Sequence, residues 1–324
     1  MTDNSRTRRR WRWLSLVAVA NLAVVGLVAT PSQARGVSLC SGTAEGRIIF
    51  GDLAVPAGES CLLLDTRVLG DVEVRQDANL TLEDSSVWGD LTVRTNGFLD
   101  SIGSAIGGTV RLQEAFGGVV ESSELWGRLR VADTGFLISD SSTHRSDLIS
   151  ENGQTVILSS RFSGDVRTTG DLLTDLRDSV LSGRLVVQQA VLGSVVCRSE
   201  IDRDTLVRDT TDLVQLGEGT FTGCEFNVFG ADLELRDNLA DIQINGNVIR
   251  DDLDCTGNDP APTGAGNRIR GEASGQCAGL AAPAAAPFST PAPVESRLAE
   301  VTGAAAARAA TAQAAAEAAG PADL

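Results

Sequence analysis

Lysine and tyrosine are absent from this chain of 324 residues, which carries a single histidine and only 4% aromatic residues. Each shortage excludes something. With no Lys and a formal net charge of −16, the chain is a poor partner for nucleic acid, since phosphate binding needs clustered positive charge. One His and no C-x-x-C spacing argue against a zinc site. No Gly-x-Ser-x-Gly elbow with a His partner is present to indicate acyl transfer. What is there is a hydrophobic content of 42% with 34 Gly, so the interior must be built from Val, Leu and Ile at close repeat. That composition favours stacked strands.

The two ends differ from the middle. Arg6, Arg8, Arg9, Arg10 and Arg12 precede an apolar run from Trp13 to Ala29 and then Ser32-Gln33-Ala34, the pattern of a signal peptide over 1–34 cleaved after Ala34. The run is near spanning length, so an uncleaved membrane anchor is the alternative. Leu39 before Cys40 is too bulky for lipoprotein processing. Cleavage removes five Arg and one Asp, which takes the net charge from −16 to −20. Cations or a positively charged surface suit such a protein, and no integral membrane anchor is expected after cleavage. After Leu280 the composition turns to Ala and Pro, so 281–324 reads as a disordered or weakly helical tail with no apolar stripe worth burying. No anchor of the sortase type is apparent, and secretion or loose cell-surface association is expected.

Between these ends runs a repeat. Val68-Leu69-Gly70-Asp71-Val72-Glu73-Val74 recurs 19 residues on as Val87-Trp88-Gly89-Asp90-Leu91-Thr92-Val93, then from Ile106 and again from Leu125, with Ile49 in step upstream. Later units start at His144, Phe162 and Leu181, with one step of 18. Two residues before each unit stands a small hydroxyl: Thr66, Ser85, Ser104, Ser123, Ser142, Ser160, Ser179 and Ser199. Near the C-terminus the slot becomes Asn227, Asn247 and Asn267. The 28-residue gap from Ser199 to Asn227 implies an insertion or a differently shaped coil.

These columns predict an all-β fold over 35–280, a single parallel β-helix solenoid of about twelve coils. In such a fold one sequence slot becomes a column of like residues at strand spacing. Val72 and Val74 alternate with Glu73 as a half-buried strand does, and Phe136-Leu137-Ile138 and Val156-Ile157-Leu158 mark a second apolar stretch per coil. Ser and Asn at one corner bond to the next coil, and Gly at another supplies dihedrals that β-branched residues resist. Six Cys all follow the leader: Cys40, Cys61, Cys197, Cys224, Cys255 and Cys277. An even number in an oxidising compartment points to disulfides. Fifteen connectivities exist, but Cys40 and Cys61 lie 21 residues apart and Cys255 and Cys277 lie 22 apart, close to one coil, which favours sequential pairs; buried free thiols are the alternative.

Over roughly Ile49 to Gly275 the stacked columns resemble the right-handed parallel β-helix proteins of the pectate-lyase-like class. The segment from Cys255 to Gly264, with Gly266-Asn267 and Gln276-Cys277, resembles part of uncharacterised secreted bacterial proteins. The first resemblance implies polysaccharide lyase or glycoside hydrolase activity. The hydrolases of that class use clustered Asp with a Gly-His-Gly segment, whereas the sole His144 stands in Thr143-His144-Arg145 on an inward apolar slot and reads as a core or turn histidine. The lyases use a calcium-binding carboxylate cluster with a basic Arg. Asp52, Asp71 and Asp90 form a column that can be read as a Ca²⁺ site or as a hydrated acidic face, with Arg111, Arg130 and Arg167 on a neighbouring column. Trp88 and Trp126 share an outward slot two coils apart, with Gly107 between, where they stack sugar rings of a glycan or cover a corner of the helix. The expected function is an exported structural or surface-binding β-helix contacting cell-envelope polysaccharide or another cell-surface component, without catalysis and with no required cofactor.

Overall fold

The structure, a computed structural model, describes residues 36–280 and 293–324. The signal-peptide segment and the 281–292 linker therefore lie outside the described residues. The repeat folds as a parallel β-solenoid of about thirteen turns, in which twelve coils contribute one strand to each of three walls and a further partial coil adds a thirteenth strand to one of them. Wall A has 13 strands, from Ser38–Leu39 to Ala273–Gly275; wall B has 12, from Gly42–Glu45 to Thr263–Ala265; wall C has 12, from Ile48–Ile49 to Arg268–Ile269. All pairings are parallel, and the register follows the sequence columns: Val72 lies beside Leu91 and Leu91 beside Val110. Inward slots hold the core, including Val68, Val87, Ile106 and Leu125 in wall C and Val72, Val74, Leu91 and Val93 in wall A, all buried.

The hydroxyl column is a hydrogen-bonded ladder. Where the chain turns from wall B to wall C the backbone N–H of Thr66 has no strand to pair with, and the Ser85 hydroxyl of the next coil accepts it at 3.0 Å. Ser85, Ser104, Ser123 and Ser142 repeat the bond, each N–H donating to the hydroxyl one coil on. The same hydroxyl closes its own corner by donating to a carbonyl two residues back, as Ser123 does to Glu121. The Asn residues continue the ladder with more reach: Asn227 accepts from the Ser199 N–H and donates to both Val196 O and Asn247 Oδ1.

The glycine column works differently from the sequence expectation. Gly70, Gly89, Gly108 and Gly127 do not have positive φ; those backbone angles fall instead on the residue before each ladder hydroxyl, as at Asp65, Asp84, Gly103 and Ser122. Glycine is needed here because the coils touch: a Cβ on Gly89 would stand 2.5 Å from the carbonyl oxygen of Gly70. Close approach, rather than dihedral freedom, selects the residue.

Three disulfides close the sequential pairs Cys40–Cys61, Cys197–Cys224 and Cys255–Cys277, and they suggest an oxidising, extracytoplasmic environment. The insertion between Ser199 and Asn227 is a loop after the strand Thr211–Gly217, held by the buried Gln215 amide, which donates to Gly217 O and Thr222 O and accepts from the N–H groups of Phe221 and Thr222.

The tail corrects the expectation that it had nothing to bury. Pro293–Ala319 is one helix, α1, lying along the outer face of wall B. Val301 and Ala305 pack with Phe98, Phe136, Ile138, Val156 and Leu173, while Ala312 and Ala316 are also buried. Its 27 residues give about 40 Å at 1.5 Å each, close to eight coil spacings of about 4.8 Å. Near its start Arg177 pairs with Glu295 at 3.1 Å. Beyond its end Thr43 donates to Gly320 O and accepts from the Ala322 N–H, each at 2.8 Å, which caps the otherwise open edge of wall B. Among the described residues no helix is long and apolar enough to cross a membrane.

Candidate functional site

Trp88 and Trp126 stand on the corner between walls C and A, 65% and 55% exposed. Their column starts earlier than the sequence reading took it. Phe50, 74% exposed, and the half-buried Leu69 precede Trp88, so an apolar ridge spans four coil steps, about 19 Å. The two indoles are two steps apart, about 10 Å, with a notch at Gly107, where a Cβ would lie 2.8 Å from the Trp88 carbonyl oxygen. The Arg145 guanidinium lies over one face of the Trp126 ring, 5.0 Å from its centroid, and is paired with Glu124. Leu69 and Phe50 were findable from the same slot, one and two coils before Trp88.

Arg111 and Arg130 project from the adjoining face of wall A, directly opposite one another in register. Arg111 donates to Asp90 Oδ2 at 2.7 Å. That bond, with the Thr109 backbone N–H, holds the Asp90 carboxyl below the usual carboxylate range. Arg130 is exposed, and among the described residues no carboxylate lies within ion-pair distance of it. A shallow depression of about 470 Å³ separates these side chains, lined by Thr109, Arg111, Gln113, Arg128, Arg130 and Glu151 among others. Arg167 sits two coils further, paired with Asp165.

The acidic column has a structural use. Asp52 Oδ1 accepts the Asp71 N–H at 2.9 Å, Asp71 accepts that of Asp90 at 2.8 Å, and Asp90 accepts that of Thr109 at 2.8 Å. Asp147, Asp165, Asp232 and Asp252 do the same for their neighbours. Each carboxylate thus satisfies one corner N–H along the axis, and Asp52, Asp71 and Asp90 do not converge on one point as the six to eight oxygen ligands of Ca²⁺ must. Among the described residues, Asp232, Asp251 and Asp252 bring one oxygen each within 4.8 Å of one another, at an exposed corner.

His144 occupies the inward slot of wall C and is 2% exposed. It stacks on Phe162 at 4.1 Å between ring centroids, and its Nε2 lies 2.7 Å from the Ser139 hydroxyl. Burial pushes its pKa down to about 3, so it stays neutral at any physiological pH. A buried carboxylate that sequence reasoning missed, Asp171, accepts from Ser150, Thr155 and the Gly153 N–H, and burial raises its pKa despite those bonds. It is fully buried, with no exposed surface.

These side chains define a parallel β-solenoid with an aromatic ridge beside a basic patch. No known family matches the chain, and comparison with curated proteins and with solved structures finds no significant match.

Proposed function

We propose that this is an exported, non-catalytic β-helix that holds cell-envelope polysaccharide against its outer wall. The ridge of Phe50, Leu69, Trp88 and Trp126 carries the reading. Exposed large aromatics on a rigid face are costly unless something covers them, and flat indoles present apolar faces to which the C–H face of a sugar ring can stack. The wall is pre-organised, because its backbone is fixed by coils on both sides and little entropy is lost on binding. The resemblance of the sequence columns to the pectate-lyase-like class, to which no match with a known family or solved structure adds, is in keeping with polysaccharide as the ligand.

A lyase or hydrolase on the same scaffold is the second reading, supported by the Arg111–Asp90 pair on an outer wall. The depression beside it offers Glu151 and several guanidiniums, and the sole histidine lies in the core. Binding without cleavage is the better fit to that set of groups. The test is retention on an immobilised glycan panel, read together with tryptophan fluorescence. Wild type is expected to be retained on at least one polysaccharide with a change in emission, and Trp88→Ala/Trp126→Ala to lose that retention. Retention unchanged in the double variant would remove the ridge from the account.

A further inference from the structure

In a solenoid, departures from a column are more telling than the column itself, since each coil otherwise repeats its neighbours. Three adjacent columns depart together in the two coils that carry Thr109 to Ala132. The corner carboxylates run Asp52, Asp71, Asp90, then Thr109 and Arg128, and resume at Asp147 and Asp165. The outward slot of wall A runs Ala54, Glu73, Thr92, then Arg111 and Arg130, then Ile149. The far edge of the same wall carries Arg75, Arg94 and Gln113, then the small Ala132, then Glu151, which opens the depression.

The substitutions have a common chemical sense. Replacing the corner Asp by Thr109 leaves the Arg128 backbone N–H without the carboxylate acceptor that the N–H groups of Asp71, Asp90 and Thr109 have. Arg111 and Arg130 face each other one coil spacing apart, an unfavourable pairing of like charges unless an anion lies between them. Arg111 is partly neutralised by Asp90, and Arg128 reaches Asp147 only at 3.6 Å. Elsewhere Arg184 also replaces a corner Asp, but there two of its nitrogens bond to Asp165. Among the described residues Arg130 has no such partner, on a chain whose net charge is −16. Around the corner from these groups lie Gly107 and Trp126, in the same two coils.

We propose that Arg111, Arg128 and Arg130, with Thr109 and Gln113, form a subsite for the carboxylate or phosphate groups of an acidic polysaccharide whose sugar rings lie on the ridge. This rests on the polysaccharide reading above and names its ligand class. The guanidiniums supply planar, charge-assisted donors suited to either anion, and the notch at Gly107 lets the chain drop from the ridge toward wall A.

The test uses the intact protein and three soluble polymers with one backbone: hydroxyethylcellulose, carboxymethylcellulose and cellulose phosphate. At low salt the two anionic polymers are expected to bind at least about tenfold more tightly than the neutral one. Arg130→Gln and Arg111→Gln are each expected to cost about tenfold on the anionic polymers and nothing on the neutral one; circular dichroism checks that both variants fold. The stronger of the two anionic polymers identifies the group. Equal binding of all three polymers, insensitive to the Arg variants but abolished by Trp88→Ala/Trp126→Ala, would overturn the anion subsite and leave the ridge standing. Anionic binding that needs the arginines and ignores the tryptophans would keep the subsite and overturn the ridge. No binding of any polymer would overturn both.

Discussion

Removing one rung of the hydroxyl ladder has a calculable effect. Ser123 is 4% exposed, and its hydroxyl accepts the Ser104 N–H at 3.0 Å while donating to Glu121 O at 2.8 Å. In Ser123→Ala the Ser104 N–H, buried at a corner with no strand partner, keeps its desolvation cost without a hydrogen bond, about 1–3 kcal/mol. The methyl fits where the hydroxymethyl stood, so no overpacking is added. For a chain of this size each kcal/mol moves the midpoint by about 2–4 °C, and the variant is expected to melt roughly 2–12 °C below wild type. Ser123→Arg must also bury a charge or part the coils and is expected to cost several kcal/mol. The control is Thr92, on the outward slot of wall A, where Thr92→Ala is expected within about 0.5 kcal/mol of wild type. Differential scanning calorimetry decides it. Equal midpoints for Ser123→Ala and Thr92→Ala would refute the ladder as a source of stability.

Asp100 faces outward on wall B yet is 7% exposed, and burial, then Glu121 and Glu83, raise its pKa to about 6 from 3.8. A raised acid costs nothing below pH 4 and its full penalty above pH 6, so Asp100→Asn is expected to match wild type near pH 4 and gain up to about 3 kcal/mol at pH 7.5 in urea unfolding. A gain that is the same at both pH values would contradict this. Val301→Asp places a charge between α1 and the Phe98–Phe136 cluster and is expected to free the helix, read as increased dye binding and faster proteolysis of the tail; unchanged resistance would mean that α1 is held elsewhere. Thiol labelling without reductant is expected to modify none of the six cysteines, and a substantial labelled fraction would count against the staples.

How much could be read from the sequence follows from how often each feature repeats. The hydroxyl ladder and the ridge were legible because Thr66 to Ser199 and Trp88 to Trp126 recur at nearly constant spacing. A second ladder, in which Thr210, Asn238 and Asn258 donate their N–H groups to Asn238, Asn258 and Gln276, was missed because its spacings of 28, 20 and 18 straddle the insertion and a shortened coil. The docking of α1 was missed because its buried stripe is mostly alanine. Its signal lay in the strands instead: Phe136-Leu137-Ile138 and Val156-Ile157-Leu158 are continuous apolar runs, which mean that both faces of wall B are covered. The acidic column was visible as a column, but its use was not, since one-dimensional spacing does not tell whether carboxylates aim at one another or at the next N–H. The basic patch is the opposite case, because Arg111 and Arg130 stand out only against the carboxylates and small residues that neighbouring coils keep.

Every column, from ladder to ridge to basic patch, depends on the register of successive coils, and paired cysteines measure that register directly. Ser86 and Ala105 face each other on adjacent strands of wall C, and Glu124 lies one coil further. At about 4.8 Å, the pair Ser86→Cys/Ala105→Cys is within disulfide reach, whereas Ser86→Cys/Glu124→Cys, at about 9.6 Å, is not. After mild oxidation, mass analysis of alkylated protein is expected to show no free thiols in the first variant and two in the second. Closure of the second pair, or two free thiols in the first, would contradict the register and the site built on it.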